Sequence, residues 1–105
     1  MGKSQRTKGA AGEREVCHIL RESLGVEASR NLTQTREGGC DIEVGRFNFE
    51  VKRRKGIAVH DFMDQAVRSV GESGRTPVVV CRGDGKDWLC IFRFADALPL
   101  IGNEL

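Results

Sequence analysis

Asp41, Glu50 and Lys52 are the residues of this chain whose types and spacing could do chemistry. They fall between Gly38 and Lys52, where two runs of alternating apolar and polar residues flank Gly45-Arg46. A Gly-X pair is a common two-residue hairpin loop. If that loop closes, residue 44 pairs with 47, 42 with 49 and 40 with 51. One face then carries Cys40, Ile42, Val44, Phe47, Phe49 and Val51, all apolar. The other face sets Glu43 opposite Asn48, Asp41 opposite Glu50 and Gly39 opposite Lys52. Two carboxylates directly across a sheet lie roughly 5 Å apart and repel one another. A divalent cation between them reverses the sign of that interaction. Glu50 and Lys52 are two apart on a strand and so share a face. Phosphodiester hydrolysis needs such a cation on oxygen ligands, an oriented water, and positive charge for an extra-negative transition state. Asp41 and Glu50 could hold the cation, the Val51 carbonyl could add a ligand, and Lys52 could stand beside the reacting group. A surface hairpin with a solvated outer face would show the same alternation.

The elements that must position these residues follow from periodicity. From about Thr7 to Leu24 the pattern is helical, with Val16, Cys17, Leu20 and Leu24 on one apolar stripe widened by Ile19. Glu13 continues that stripe towards the N-terminus. It is a further candidate ligand if the helix packs against the hairpin, or a residue favoured simply by the helix dipole. Gly25 is placed to end the helix. Residues 26–32 read as a short extended segment with Val26, Ala28 and Arg30 on one side. Thr33 to Gly39 reads as a loop. A second helix is predicted over Asp61–Val70, with Phe62, Met63, Ala66, Val67 and Val70 on its apolar face and Gln65 on the flank. Asp61 is a candidate N-cap there, and Val59 a candidate staple. The β-branched run Thr76–Cys81 suits a strand buried on both faces and placed parallel by a crossover helix. Trp88–Phe92 is a further strand, and Phe94–Leu98 a short helix stopped by Pro99. The order α-β-β-β-α-β-β predicts a single α/β domain over residues 1–105: one mixed sheet with helices packed on it. The pattern leaves the order of residues 1–6 open.

Composition narrows the function classes. With 39% hydrophobic and 30% charged residues, the chain has the make-up of an ordinary globular domain. The lack of a long apolar run or a signal-like N-terminus points to a cytoplasmic protein with no membrane partner. The net charge of +2 is too small to identify a polyanionic partner, so distribution carries the information. Lys3, Arg6 and Lys8 crowd the N-terminus, and Lys52-Arg53-Arg54-Lys55 is an unbroken basic run beside the carboxylates. Such a patch suits a phosphate backbone approaching a metal site, or a solvated surface. The four cysteines form no C-x-x-C pair and fall in apolar runs, which predicts buried thiols rather than zinc or iron–sulfur ligands.

Asp41 followed on the next strand by Glu50-Val51-Lys52 resembles the signature of the PD-(D/E)XK nuclease superfamily. The chain is similar in particular to archaeal-type Holliday junction resolvases and small phage nucleases. Lys8-Gly9-Ala10-Ala11-Gly12-Glu13-Arg14 resembles the opening of their first helix, Arg30 their strand arginine, and Gln65 a glutamine on their second helix. Cys40 stands where the signature often has proline, and Glu43 is an additional acid that reads best as solvated. The resemblance spans about residues 8 to 92. It implies a restriction-endonuclease-like fold with an αβββαβ core and catalytic roles for Glu13, Asp41, Glu50, Lys52 and Gln65. It also implies Mg²⁺ or Mn²⁺ on Asp41, Glu50, Glu13 and the Val51 carbonyl, and cleavage to 5′-phosphate and 3′-hydroxyl ends. The implied partners are branched or duplex DNA and, frequently, a second copy of the chain. Lys8, Arg14, Arg30, Arg53, Arg54 and Lys55 are the candidate phosphate contacts. The competing readings are a non-cleaving nucleic-acid-binding module on the same fold, and a structural protein whose acidic hairpin face is surface.

Overall fold

The computed structural model describes residues 3–30 and 41–105, and side chains from residue 9 onward. Helix α1 (Lys3–Leu24) starts before Thr7 and ends where Gly25, at φ 66°, donates its N–H to the Arg21 carbonyl at 3.0 Å. Strands β1 (Ile42–Val44) and β2 (Phe47–Arg53) form the hairpin, helix α2 (Val59–Val70) crosses over, and β3 (Thr76–Arg82) and β4 (Leu89–Ile91) follow, with α3 (Phe94–Gly102) last. The sheet order is β1-β2-β3-β4. The outer pairs are antiparallel and the central β2–β3 pair is parallel, as the α2 crossover requires. This α/β arrangement is compatible with a restriction-endonuclease-like fold.

The hairpin register is the one the two-residue loop dictates: Ile42 faces Phe49, Glu43 faces Asn48 and Val44 faces Phe47, with Gly45 at φ 55° in the turn. The expected pairing of Cys40 with Val51, the Gly39–Lys52 pair and the Thr33–Gly39 loop lie outside the described residues. Ile42 of β1 and the odd-numbered residues of β2 face α1. Ile42, Phe49 and Val51 join Val16, Cys17, Ala28, Val78 and Val80 in one core. On the opposite face Val79 and Cys81 pack with Phe62, Met63 and Ala66 of α2. Strand β3 is therefore apolar on both sides because a helix covers each side.

Several expectations need correction. The segment before the hairpin keeps its alternation, with Ala28 buried between exposed Glu27 and Ser29, but it contributes one isolated bridge, Arg30 to Ile42, instead of a strand. Its backbone is held by that bridge and by the Arg21 guanidinium, which donates to the Ala28 carbonyl, and residues 31–32 lie outside the described residues. Leu24 and Ile19 are exposed on α1, because the sheet meets the helix through Val16 and Cys17 and nothing among the described residues covers its last turn. Helix α2 begins at Val59 with Ala58 at the cap position, so Asp61 sits in the first turn and is not the cap. An acid in the first turn satisfies the helix dipole as well as a cap does, and the Phe62 N–H reaches the Ala58 carbonyl at 2.9 Å. Val59 is exposed and does not staple the helix. Helix α3 continues through Pro99 to Gly102, with the Asn103 N–H bonded to the Pro99 carbonyl at 3.1 Å. Proline removes one helical hydrogen bond, and because α3 buries none of its side chains, water can take the freed carbonyl. Cys17 and Cys81 are buried as expected, whereas Cys90 is exposed because β4 is the sheet edge.

Ile42 has no exposed surface and ties the hairpin both to α1 and to the Arg30 bridge. Ile42→Ala should destabilise the protein by about 3 kcal/mol, the usual cost of a cavity of that size, measured as a shift in the urea midpoint at unchanged slope.

Candidate functional site

Because side chains alternate along β2, Glu50 and Lys52 point away from α1 and towards α2. Helix α2 encloses that polar face. Asp41, Asn48, Glu50 and Lys52 are all buried, with Glu50 only 2% exposed. The reading of this hairpin as a solvated surface strip fails here, since charged side chains are almost never buried at this density without a partner or a task.

Strand β1 stops at Ile42, so Asp41 stands just beyond the last pair of the β1–β2 ladder. Its Oδ2 accepts the N–H of Val51 at 2.7 Å. That bond replaces the ladder partner β1 no longer supplies, and it aims the aspartate across the strand. Residues 47, 49 and 51 direct their backbone groups to the same side of β2, so the Val51 carbonyl also lies on the Asp41 side. Glu50 is flanked by Lys52, whose Nζ stands 3.5 Å from Oε2. The lysine ammonium also lies 5.6 Å from the centre of the Phe62 ring, a cation–π contact that keeps it in place without a second carboxylate. On the other oxygen, Ser69 Oγ is 3.5 Å from Glu50 Oε1 but only 3.1 Å from the Gln65 carbonyl. A hydroxyl has one proton to donate, and the nearer acceptor is the carbonyl, so Glu50 Oε1 is weakly satisfied.

The electrostatics follow from this shortage of donors. Burial pushes the Asp41 carboxyl up from 3.8 to about 7, and the neighbouring Glu50 charge pushes it the same way. The Val51 N–H and Lys52 oppose that rise without cancelling it. Burial also raises Glu50, against the pull of Lys52 and Ser69. Two carboxylates therefore share one lysine in a site largely closed to water. A hard divalent cation is the chemical species that fits the remaining charge and the oxygen donors, with Asp41, Glu50 and the Val51 carbonyl as the available set.

Glu13 has a different position. It lies on α1, across the sheet from Glu50, and its Oε1 accepts from Arg30 Nε at 2.8 Å with both side chains about a quarter exposed or less. Its charge still raises Asp41 and Glu50. Among the described residues, however, no three His, Cys, Asp or Glu side chains gather closely enough to hold a metal ion. Arg30 is thus joined to the acidic cluster through Glu13. Gln65 is half-buried on α2, and what it contributes visibly is its backbone carbonyl to Ser69. Glu43 is exposed and pairs with Arg75 at 3.6 Å, which takes it out of the site. Arg75 also bonds Asn48 and the Phe47 carbonyl, bracing the hairpin against the start of β3. Of the basic candidates, Arg14 and Lys55 are exposed and Arg53 and Arg54 half-buried; the Lys8 side chain lies outside the described residues. Sequence reasoning missed Ser69, and it placed Phe62 on the apolar face of the second helix without its contact to Lys52. Ser69 was within reach, being four residues after Gln65 and so on the same helix face.

An aspartate at the end of one strand, a buried Glu-x-Lys on the next and flanking helices on a mixed sheet are the arrangement expected of the PD-(D/E)XK nuclease superfamily. Over residues 4–103 the chain matches the family described as "Phage putative PDDEXK endonuclease", and it belongs to that family. Nucleases of this class generally use divalent metals. No curated protein matches the chain.

The charge pattern makes stability depend on pH in a definite direction. A carboxyl whose folded pKa lies above its unfolded value binds more protons in the folded state, so stability falls as pH rises between the two. In metal-free buffer the protein should lose stability as pH rises from about 4 to about 7. Asp41→Asn should remove most of that slope and be the more stable form above neutrality. Urea midpoints across the range check this.

Proposed function

We propose that the protein is a Mg²⁺- or Mn²⁺-dependent DNA endonuclease that selects branched DNA, a four-way junction first among the candidates. The observation that carries the reading is the buried pair Asp41 and Glu50, short of positive charge, with Lys52 beside Glu50 on the same strand. Asp41, Glu50 and the Val51 carbonyl would hold the cation, and Glu13, linked to Arg30, would act from the far side of the sheet edge. A bound divalent cation supplies an activated water and neutralises charge on the phosphoryl group. The protein's own part is positional. The Val51 N–H fixes the Asp41 carboxylate, and Phe62 and Glu50 hold the Lys52 ammonium where negative charge develops. Gln65 and Ser69 support Glu50 from α2. Arg14, Arg53, Arg54 and Lys55, with Lys8 and Arg30, are the cations available to the DNA backbone.

A homodimer is part of this reading, because cutting two strands of a junction takes two sites. It is supported by α3, which leaves Phe94, Leu98 and Ile101 exposed at helical spacing and buries none of its residues. A cytoplasmic setting agrees with Cys17, Cys81 and Cys90, which are free thiols.

The test sets four-way junction, flap, nicked and linear DNA against the protein with Mg²⁺, Mn²⁺ or EDTA. Cleavage should require metal, favour the junction, and fall roughly 100-fold or more in Lys52→Ala, the scale for losing a preorganised charge at the reacting centre. Equal cutting in EDTA or by Lys52→Ala would sink the mechanism, and salt-dependent binding without cutting would favour the non-cleaving module. Independently of activity, Mg²⁺ should raise the melting temperature of the wild type and not of a Glu50→Gln variant. Phe94→Glu should shift the dimer towards monomer in light scattering.

A further inference from the structure

Three N–H donors are buried without an acceptor among the described residues: Nε of Arg53, Nε of Arg82 and Nε1 of Trp88. They belong to one neighbourhood. Arg53 and Arg82 are the last residues of β2 and β3 and are register partners across the parallel ladder. Partners in a parallel ladder rise from the same face of the sheet, here the α1 face shared with Val51. The Arg82 guanidinium lies 5.5 Å from the centre of the Trp88 ring. Gly12 of α1 makes room for the group: a Cβ there would stand 3.3 Å from Arg53 Cβ and 3.4 Å from Trp88 Cη2.

Buried donors normally find partners, and one left unpaired forfeits the hydrogen bond it makes to water in the unfolded chain. Among the described residues, Glu15 Oε2 accepts from Arg82 Nη1 at 3.1 Å. That bond engages one guanidinium nitrogen of Arg82 and is made to none of the three orphaned nitrogens. Arg53, Arg82 and Trp88 are each half-buried, so the donors lie just beneath the surface. Arg54 and Lys55 continue from β2 at the same end of the sheet.

We propose that Arg53, Arg82 and Trp88 form a seat for a backbone phosphate of DNA, separate from the carboxylate site. A phosphodiester offers two charged acceptor oxygens, which suit guanidinium forks, and the indole N–H can only donate. Arg53 directly follows Lys52, so the two side chains leave β2 on opposite faces close to its C-terminal end. A DNA strand crossing that end would rest one phosphate in the seat while another lies at Asp41 and Glu50. The seat thereby fixes where the strand sits relative to the reacting bond. Its choice of DNA as ligand rests on the nuclease reading.

Trp88 is the sole tryptophan, so its emission reports on the seat directly. In EDTA, titration with a short DNA duplex should change that emission saturably, and inorganic phosphate should do so only at far higher concentration. Arg53→Gln and Arg82→Gln should each flatten the plot of log affinity against log salt by about one unit. Trp88→Phe keeps the stacking ring and loses the donor, and should weaken binding of a labelled duplex read by anisotropy. Duplex binding with an unchanged salt slope in both arginine variants and a silent Trp88 would overturn the seat. Saturation by phosphate at duplex concentrations would assign it to a free anion instead. Should Arg82→Gln fail to fold by circular dichroism, Arg53→Gln and Trp88→Phe carry the test. Lys52-dependent cleavage with a silent Trp88 removes the seat and leaves the nuclease, whereas a responsive Trp88 without metal-dependent cleavage removes the nuclease and leaves the seat.

Discussion

The structure depends on two carboxylates buried where water cannot balance them. Asp41 and Glu50 sit at the point where β1 stops and β2 runs on, closed in by α2 from one face and backed by the α1 core on the other. Alone, this arrangement is unfavourable, and the protonation of Asp41 near neutrality expresses that. Each local feature around it makes the arrangement tolerable without neutralising it. The Val51 amide holds Asp41, the lysine pairs with Glu50, and Phe62 steadies the lysine. A protein that conserved stability would fill this space with apolar side chains. Keeping two carboxylates there costs stability, and the cation proposed above would offset that cost.

The fold serves this site through strand geometry. A parallel β2–β3 pair needs a crossover, and the crossover is α2, which therefore has to lie on one face of β2. Helix α1 covers the other face, so a single strand delivers Val51 and Arg53 to one side and Glu50 and Lys52 to the other. The early end of β1 is equally necessary. Had the ladder continued, the Val51 amide would face a backbone carbonyl, and Asp41 would have no place at the edge of β2.

Much of this was readable from residue order. The hairpin register came from a two-residue turn and the period of two, both local properties, and it placed Glu43 opposite Asn48 as observed. The Val78–Val80 run announced a strand covered on both faces, and the Phe62, Met63 and Ala66 spacing announced the helix that covers one of them. Helix ends were less legible. Asp61 can serve the helix dipole as a cap or inside the first turn, and Pro99 disfavours a helix interior without forbidding it, as α3 shows.

By itself, then, the sequence determined which side chains share a face, because alternation and turn length act over a few residues. It determined the family as well, since Asp41, Glu50 and Lys52 are diagnostic as a set. Tertiary structure alone decided whether the polar face was exposed or buried, because that depends on where the α2 crossover lies. It also decided that Glu13 pairs with Arg30, that Ser69 stands by Glu50, and that Arg53, Arg82 and Trp88 meet over Gly12. Those contacts join residues distant in sequence, and their energies come from desolvation, a property of the packed whole that no stretch of residues possesses on its own.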